Sequence, residues 1–261
     1  MTFAIVPDER AGWLVLLDGY PQSHVNVDDP LDLAFEYVAL AAAAIDAAFP
    51  APDRVRVTHV GGGGLTLPRW IEATRPGSPQ IVLEPHAALT AAVRSALPLP
   101  RGHRIRVREV DGATGVQALA DASADIIVVD AFAGAQMPVE LAGVPFLTDC
   151  ARVLAGRGLL LVNVADDAQG RYVDRVAAGV RTAGLASVGL LATSDIAKGR
   201  GFGNRIIVGS ATTLDLTELE RMVRRLPWPA SAYRPRPARP FTDEPEPSPS
   251  PPPLDRSWRV R

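Results

Sequence analysis

Five short β-prone runs, RVRVTHV, QIVLE, RIRVREV, DIIVVDAF and GLLLVNVAD, follow one another between residues 54 and 166, all but the last pair clearly separated by helix-sized segments. That alternation restricts the chain more than any single motif does. Strands that recur with a helix between them pair in parallel, because only a long crossover returns the chain to the same end of the sheet. The expected fold class is α/β, a mostly parallel sheet with helices on both faces. Two later runs, ASVGLLAT and NRIIVGS, are joined by a polar, glycine-rich loop, which predicts an antiparallel last strand.

Ahead of this pattern, FAIV and WLVLLDG flank PDERAG, a turn-forming stretch of hairpin length. Residues 31 to 49 are helix formers throughout and stop at Pro50. From Pro227 the chain holds eleven of its 24 prolines and almost no apolar periodicity, which reads as a solvated tail or a ligand for a partner. The expected organisation is an N-terminal β-hairpin segment over 1–30, a ligand-binding α/β domain over 31–226, and a Pro-rich disordered tail over 227–261. Asp8, Glu9 and Arg10 interrupt the apolar core that a signal peptide needs, and no 18-residue apolar run follows, so a cytoplasmic protein without a membrane span is expected. A net charge of −2 argues against a field tuned to nucleic acid or membrane. With Cys150 the single cysteine, disulfides and thiolate zinc clusters are excluded, and helix packing is its expected role. His24, His59, His86 and His103 are dispersed and show no metal-binding spacing, so no metal is expected.

In open α/β sheets ligands sit outside the carboxyl ends of the strands, so strand exits are where chemistry belongs. The first exit carries Gly61, Gly62, Gly63 and Gly64, the second Glu84, the third Asp111 and Gly112, and the fourth Asp130. Glycines at such a turn let backbone N–H groups approach a ligand. Glu84, 23 positions after Gly61, stands where a carboxylate accepts bonds from both hydroxyls of a ribose, or else starts a helix. Asp111 opens the turn DGATG and reads as an acceptor for an adenine amino group or as an ordinary turn acid. Asp130 ends IIVVD, where partial burial lifts a carboxyl toward base duty, against a plain capping role. The dinucleotide pattern fails at its third glycine, with Thr66 or Leu67 in its place, and no Gly-Lys-Ser/Thr follows for a Walker loop. An adenosine-bearing ligand without a pyrophosphate fits better.

In their order and spacing, LVLLDGYPQS, HVGGGGLTLPRW, IVLEPHAAL, VDGATGVQAL, ADIIVVDAF and VPFLTDCARVLAGRGLLLVNV resemble the spermidine synthase (polyamine aminopropyltransferase) family, from about Leu14 to Ser210. The resemblance implies a class I methyltransferase-like (Rossmann-like) fold. It also implies contacts from Gln22, Glu84, Asp111 and Gly112 to a nucleoside ligand, a backbone cradle at Gly61, Gly62 and Gly63, and Asp130 as the acid that helps deprotonate an attacking amine. The implied co-substrate is decarboxylated S-adenosylmethionine or S-adenosylmethionine, the implied partner an amine acceptor, and the chemistry that of polyamine biosynthesis. Departures fall on the amine side. Gly64 and Ala133 stand where the family usually has aspartates, and Ala34 and Phe35 replace a Tyr-His pair before Glu36. Asp28, Asp29, Asp32 and Glu36 are candidates to compensate, or simply a helix start and a solvated face. These losses keep two alternatives open: a methyltransferase of unknown acceptor, and a non-catalytic ligand-binding or regulatory protein. The short N-terminal portion leaves a homodimer open and favours a tetramer less.

Overall fold

A computed structural model describes residues 2–9, 11–133, 136–242 and 245–252. Its strands are β1 (Phe3–Pro7), β2 (Trp13–Leu17), β3 (Tyr20–Val25), β4 (Val57–Val60), β5 (Gln80–Leu83), β6 (Ile105–Arg108), β7 (Ala124–Val129), β8 (Leu154–Asp166), β9 (Ser187–Thr193), β10 (Gly203–Ser210) and β11 (Ala230–Tyr233). Its helices are α1 (Glu36–Ala48), α2 (Thr66–Thr74), α3 (Ala87–Ala96), α4 (Gly112–Gln117), α5 (Val144–Val153), α6 (Arg171–Thr182), α7 (Ser194–Ala197) and α8 (Leu216–Val223). The main sheet runs β11-β9-β10-β8-β7-β4-β5-β6. The block from β8 to β6 is parallel, and β10 lies antiparallel to both β8 and β9.

Two apolar layers clamp this sheet. One packs α4, α5 and α6 beneath β7 and β8 through Val116, Phe146, Leu147, Cys150, Val153, Val173 and Val176. The other packs the alanine-rich face of α1 with Trp70 and Ile71 of α2 and Leu219 and Val223 of α8. Cys150 is therefore a packing residue, and burial pushes its thiol well above the usual range. Strands buried on both faces need no polar alternation, which is why β7 and β8 read as continuous apolar runs.

The N-terminal hairpin forms as expected, with Phe3 opposite Leu17 and Pro7 opposite Trp13. A third strand, β3, extends it, because Asp18 and Gly19 both take positive φ (48° and 82°) and close a two-residue turn between Leu17 and Tyr20. Val15 and Val25 of this small sheet pack with Leu65 and with Leu89 and Val93 of α3. The sheet is thus seated beside the glycine turn that follows β4.

Helix α1 starts at Glu36, five residues later than expected. Asn26 Oδ1 accepts the amides of Asp28 and Asp29, and Asp29 Oδ1 accepts that of Leu31, so residues 26–31 form side-chain-closed turns ahead of the helix.

The solvated tail expected from Pro227 is a second difference. Residues 230–233 pair with β9 as an edge strand. Beyond it, Arg236 bonds Asp174 of α6 through its amide (3.0 Å) and its Nε (2.6 Å). Phe241 is 1% exposed, its ring 5.0 Å from that of Tyr172 and 3.8 Å beneath the guanidinium of Arg175, and its carbonyl accepts the Val144 amide. Ser248 Oγ accepts the Met137 amide at 3.1 Å. A single aromatic anchor and a few hydrogen bonds suffice here because proline-rich chain has little backbone entropy to lose. Residues 243–244 and 253–261 of that expected tail lie outside the described residues. Phe241→Ala is expected to release the strap, seen as faster hydrogen exchange at the Met137 and Val144 amides with β7 and β8 unchanged; unaltered exchange would mean that the anchor lies elsewhere.

Candidate functional site

The exits of β4, β5 and β7 and the start of α4 open into one cavity of about 600 Å³, a size that suits a nucleoside with an attached chain. Gln22, Gly61, Gly62, Gly63, Glu84, Asp111, Gly112 and Asp130 all line it. Side chains spread over more than a hundred residues of sequence therefore meet at one place.

The glycine turn is built by close approach. Gly61 has φ +98°, and a Cβ there would lie 2.1 Å from the Asp130 carbonyl oxygen. Gly63 has φ +44°, with Ser23 Oγ 2.6 Å from where its Cβ would stand. The amides of the turn are largely taken up within the protein: Gly61 N donates to Leu83 O, Gly62 N to Glu84 Oε2 at 2.9 Å, and Gly64 N to Ser23 Oγ at 2.9 Å. What the four glycines hold first is the chain's own carboxylate and its N-terminal sheet. Gly64, where the resembling family usually has an aspartate, has no room for one: a Cβ would sit 2.6 Å from Val25 Cγ2 and 2.9 Å from Ser23 Cβ.

Glu84 is 8% exposed, and its second oxygen accepts the His86 amide at 2.9 Å. Two backbone bonds fix the carboxylate plane, and each oxygen keeps a lone pair for a ligand hydroxyl. Asp111 caps α4 by accepting the Thr114 amide at 2.8 Å, which holds its exposed carboxyl below the usual range. Both capping and ligand contact are compatible with its place on the cavity wall. Gly112 is required by packing, since a Cβ would come within 2.3 Å of Val60 Cγ1.

Asp130 follows β7, its amide bonded to the Val60 carbonyl. Burial lifts its carboxyl above the ordinary range, opposed by the hydrogen bond from Asn163 Nδ2 (2.9 Å) and by the nearby Tyr37 hydroxyl, which itself donates to the Gln22 carbonyl at 3.5 Å. Asn163 in turn accepts from Asn204 Nδ2 at 2.9 Å. Tyr37 is held protonated by burial and by the neighbouring Asp130 charge, so its hydroxyl serves as a donor. The result is a carboxylate oriented by the Asn163 amide, with a cavity in front of it.

Tyr37, Asn163 and Asn204 were not singled out from the sequence. Asn163 had a signal, being the one polar residue within LLLVNVA; Tyr37 had none, since an aromatic in the first turn of a helix usually packs. Of the acids considered as compensation, Asp28, Asp29, Asp32 and Glu36, none lines the cavity. Asp29 and Asp32 bond to their own loop. His59 is buried against Gln80, and burial brings its pKa down to about 4, which keeps it neutral; it is a packing residue. No group of three potential metal ligands occurs among the described residues, and no helix among them is long and apolar enough to cross a membrane.

No family model matches the chain. The polyamine aminopropyltransferase of Neisseria meningitidis serogroup A is 28% identical over 158 residues, 59% of each chain, and that of Chromobacterium violaceum is 29% identical over 143 residues. The chain thus spans little more than half the length of the curated relatives it matches. Among solved structures, a probable spermidine synthase from Corynebacterium glutamicum superposes with a TM-score of 0.84 over 92% of both chains at 29% identity. A spermidine synthase in complex with the transition-state analogue AdoDATO gives 0.62 over 86% of this chain at 16% identity, a likeness of fold. The resemblance read from the motifs is borne out: the chain is similar in sequence to polyamine aminopropyltransferases and in structure to a probable spermidine synthase, on a methyltransferase-like fold.

Proposed function

We propose that the chain transfers an aminopropyl group from decarboxylated S-adenosylmethionine to an amine. The observation that carries this is the charge of the cavity: Glu84, Asp111, Asp130 and Glu140 line it, and no arginine or lysine does among the described residues. A donor with a sulfonium and an ammonium suits such walls. The carboxylate of S-adenosylmethionine would enter among four acids with no arginine or lysine to receive it, a desolvation poorly offset.

In this reading Glu84 accepts the ribose hydroxyls, Asp111 the adenine amino group, and Gln22 and Gly61 to Gly63 shape the wall around the nucleoside. Asp130 takes a proton from the acceptor's ammonium, freeing its nitrogen lone pair. That lone pair forms a bond to the propyl carbon next to sulfur. The carbon–sulfur bond breaks, its electron pair stays on sulfur, and the sulfonium becomes the neutral thioether methylthioadenosine. The new nitrogen carries the positive charge the sulfonium loses, so charge and atoms balance with one proton left on Asp130. Asn163 holds the carboxylate in line for the transfer.

Mass spectra of the products formed from each sulfonium donor with a panel of amines test this. Release of methylthioadenosine with decarboxylated donor, and no methyl transfer from S-adenosylmethionine, is the expected outcome; methylated product from the latter would overturn it. Glu84→Ala should weaken methylthioadenosine binding by about tenfold to a hundredfold, the worth of one charge-assisted bond or slightly more. Calorimetry reads this directly, and unchanged affinity would remove Glu84 from the ligand site.

A further inference from the structure

Around Asp130 the cavity is aromatic and amide-lined rather than acidic. Tyr37 lines the cavity beside Asp130, its hydroxyl donating to the Gln22 carbonyl at 3.5 Å, and Phe35 lies 5.9 Å from Tyr37 by ring centroids. Asn163 bonds Asp130, Asn204 bonds Asn163, and Phe202, two residues before Asn204, lines the same wall. Phe132 and Ala133 follow Asp130 on the cavity's lining. Of the other carboxylates there, Glu84 is held by two backbone amides, Asp111 caps α4, and Glu140 is exposed.

Resting on the aminopropyl-transfer reading, we propose that the acceptor is a monoamine, a primary amine whose single cationic nitrogen meets Asp130 while an uncharged alkyl or aryl body lies against Phe35, Tyr37 and Phe202. An ammonium taken out of water needs an anionic partner, because an aromatic face offsets only part of the hydration it loses. The donor brings two cations, its sulfonium and its own ammonium. With Glu84 and Asp111 engaged by backbone and nucleoside, Asp130 and the exposed Glu140 are the acids left to share among the remaining ammonium groups. One acceptor ammonium can be matched; a second at the far end of a diamine would lie on rings and amides. Carboxamide side chains add dipoles there but no charge, and an uncharged body loses nothing on entering.

The test compares 1,4-diaminobutane with n-pentylamine, which has the same number of heavy atoms and one cation fewer, and with 2-phenylethylamine. Two readouts are used: methylthioadenosine release from decarboxylated S-adenosylmethionine, and calorimetry of each amine on full-length protein saturated with methylthioadenosine. Both monoamines should exceed the diamine by about tenfold or more in kcat/KM and in affinity. Ala133→Asp, which adds a carboxylate to the same wall, should raise diamine use by about tenfold and narrow the preference. A diamine bound or used as well as n-pentylamine, or no amine binding to the loaded protein, would overturn the inference while leaving nucleoside binding intact. Failure of methylthioadenosine itself to bind would instead overturn the transfer reading on which it rests.

Discussion

Asp130→Asn should lower kcat by about two to four orders of magnitude, the usual contribution of a positioned proton acceptor, while leaving methylthioadenosine affinity within about twofold. The carboxamide keeps the shape of the side chain and can still accept from Asn163, so the cavity wall survives while the carboxylate is lost. The same substitution has a stability signature of opposite sign. Burial raises the Asp130 carboxyl, so the ionised form is less favourable in the folded chain than in the unfolded one. Its contribution to stability is full below the unfolded carboxylate value of about 3.9 and is lost as pH rises through the raised folded value. Replacing it by a neutral isostere should therefore raise Tm at pH 7 to 8 and have no such effect near pH 3. In the wild type, turnover should fall as pH drops through the raised carboxyl value, because the acceptor is then already protonated. Undiminished turnover in Asp130→Asn, or a lower Tm at neutral pH, would remove this residue from the chemistry.

Gly61→Ala carries the second large effect. It combines a left-handed backbone (φ +98°) with a Cβ placed 2.1 Å from the Asp130 carbonyl oxygen and 2.8 Å from its carbonyl carbon. Positive φ in a non-glycine residue costs about 1 to 3 kcal/mol, and inserting a methyl into packed backbone about as much again. A loss of roughly 2 to 6 kcal/mol lowers Tm by about 5 to 20 °C in a chain of this size. Because the clash is with Asp130 itself, relief requires the ends of β4 and β7 to part, so turnover should collapse even in the fraction that folds. Gly102→Ala separates the two causes: φ there is +81°, and a Cβ would meet nothing within 4 Å. It should lose only the backbone part and leave turnover unaffected. Equal losses at both positions would mean that strain, and not close approach, explains the glycine turn. Differential scanning calorimetry with turnover assays on both variants decides the point.

The strands of the central sheet were legible because burial on both faces favours runs rich in β-branched residues and leucine, and VTHV, QIVL and DIIVV lie within segments read as strands. The acids at their exits were legible by the same logic, since parallel topology alone sends Glu84, Asp111 and Asp130 to one end of the sheet. Strand β3 was within reach, because Asp18-Gly19 is a two-residue hairpin-turn signal. The partners of the glycine amides were not, because Ser23 is 41 positions from Gly64 and meets it only through the seating of the small sheet. Nor was the docking of Phe241, which depends on Tyr172 and Arg175 presenting a slot on α6. Local pattern reports periodicity and turns; it is silent on which distant surface a proline-rich segment will find.

The convergence of Glu84, Asp111 and Asp130 on one cavity is the claim from which the chemistry follows, and methylthioadenosine binding tests it most directly. Titrated into full-length protein, it should give a single-site isotherm that weakens at least tenfold in Glu84→Ala and is unchanged in Asp130→Asn. Absence of heat at millimolar methylthioadenosine from folded protein, or an isotherm indifferent to Glu84, would contradict the account.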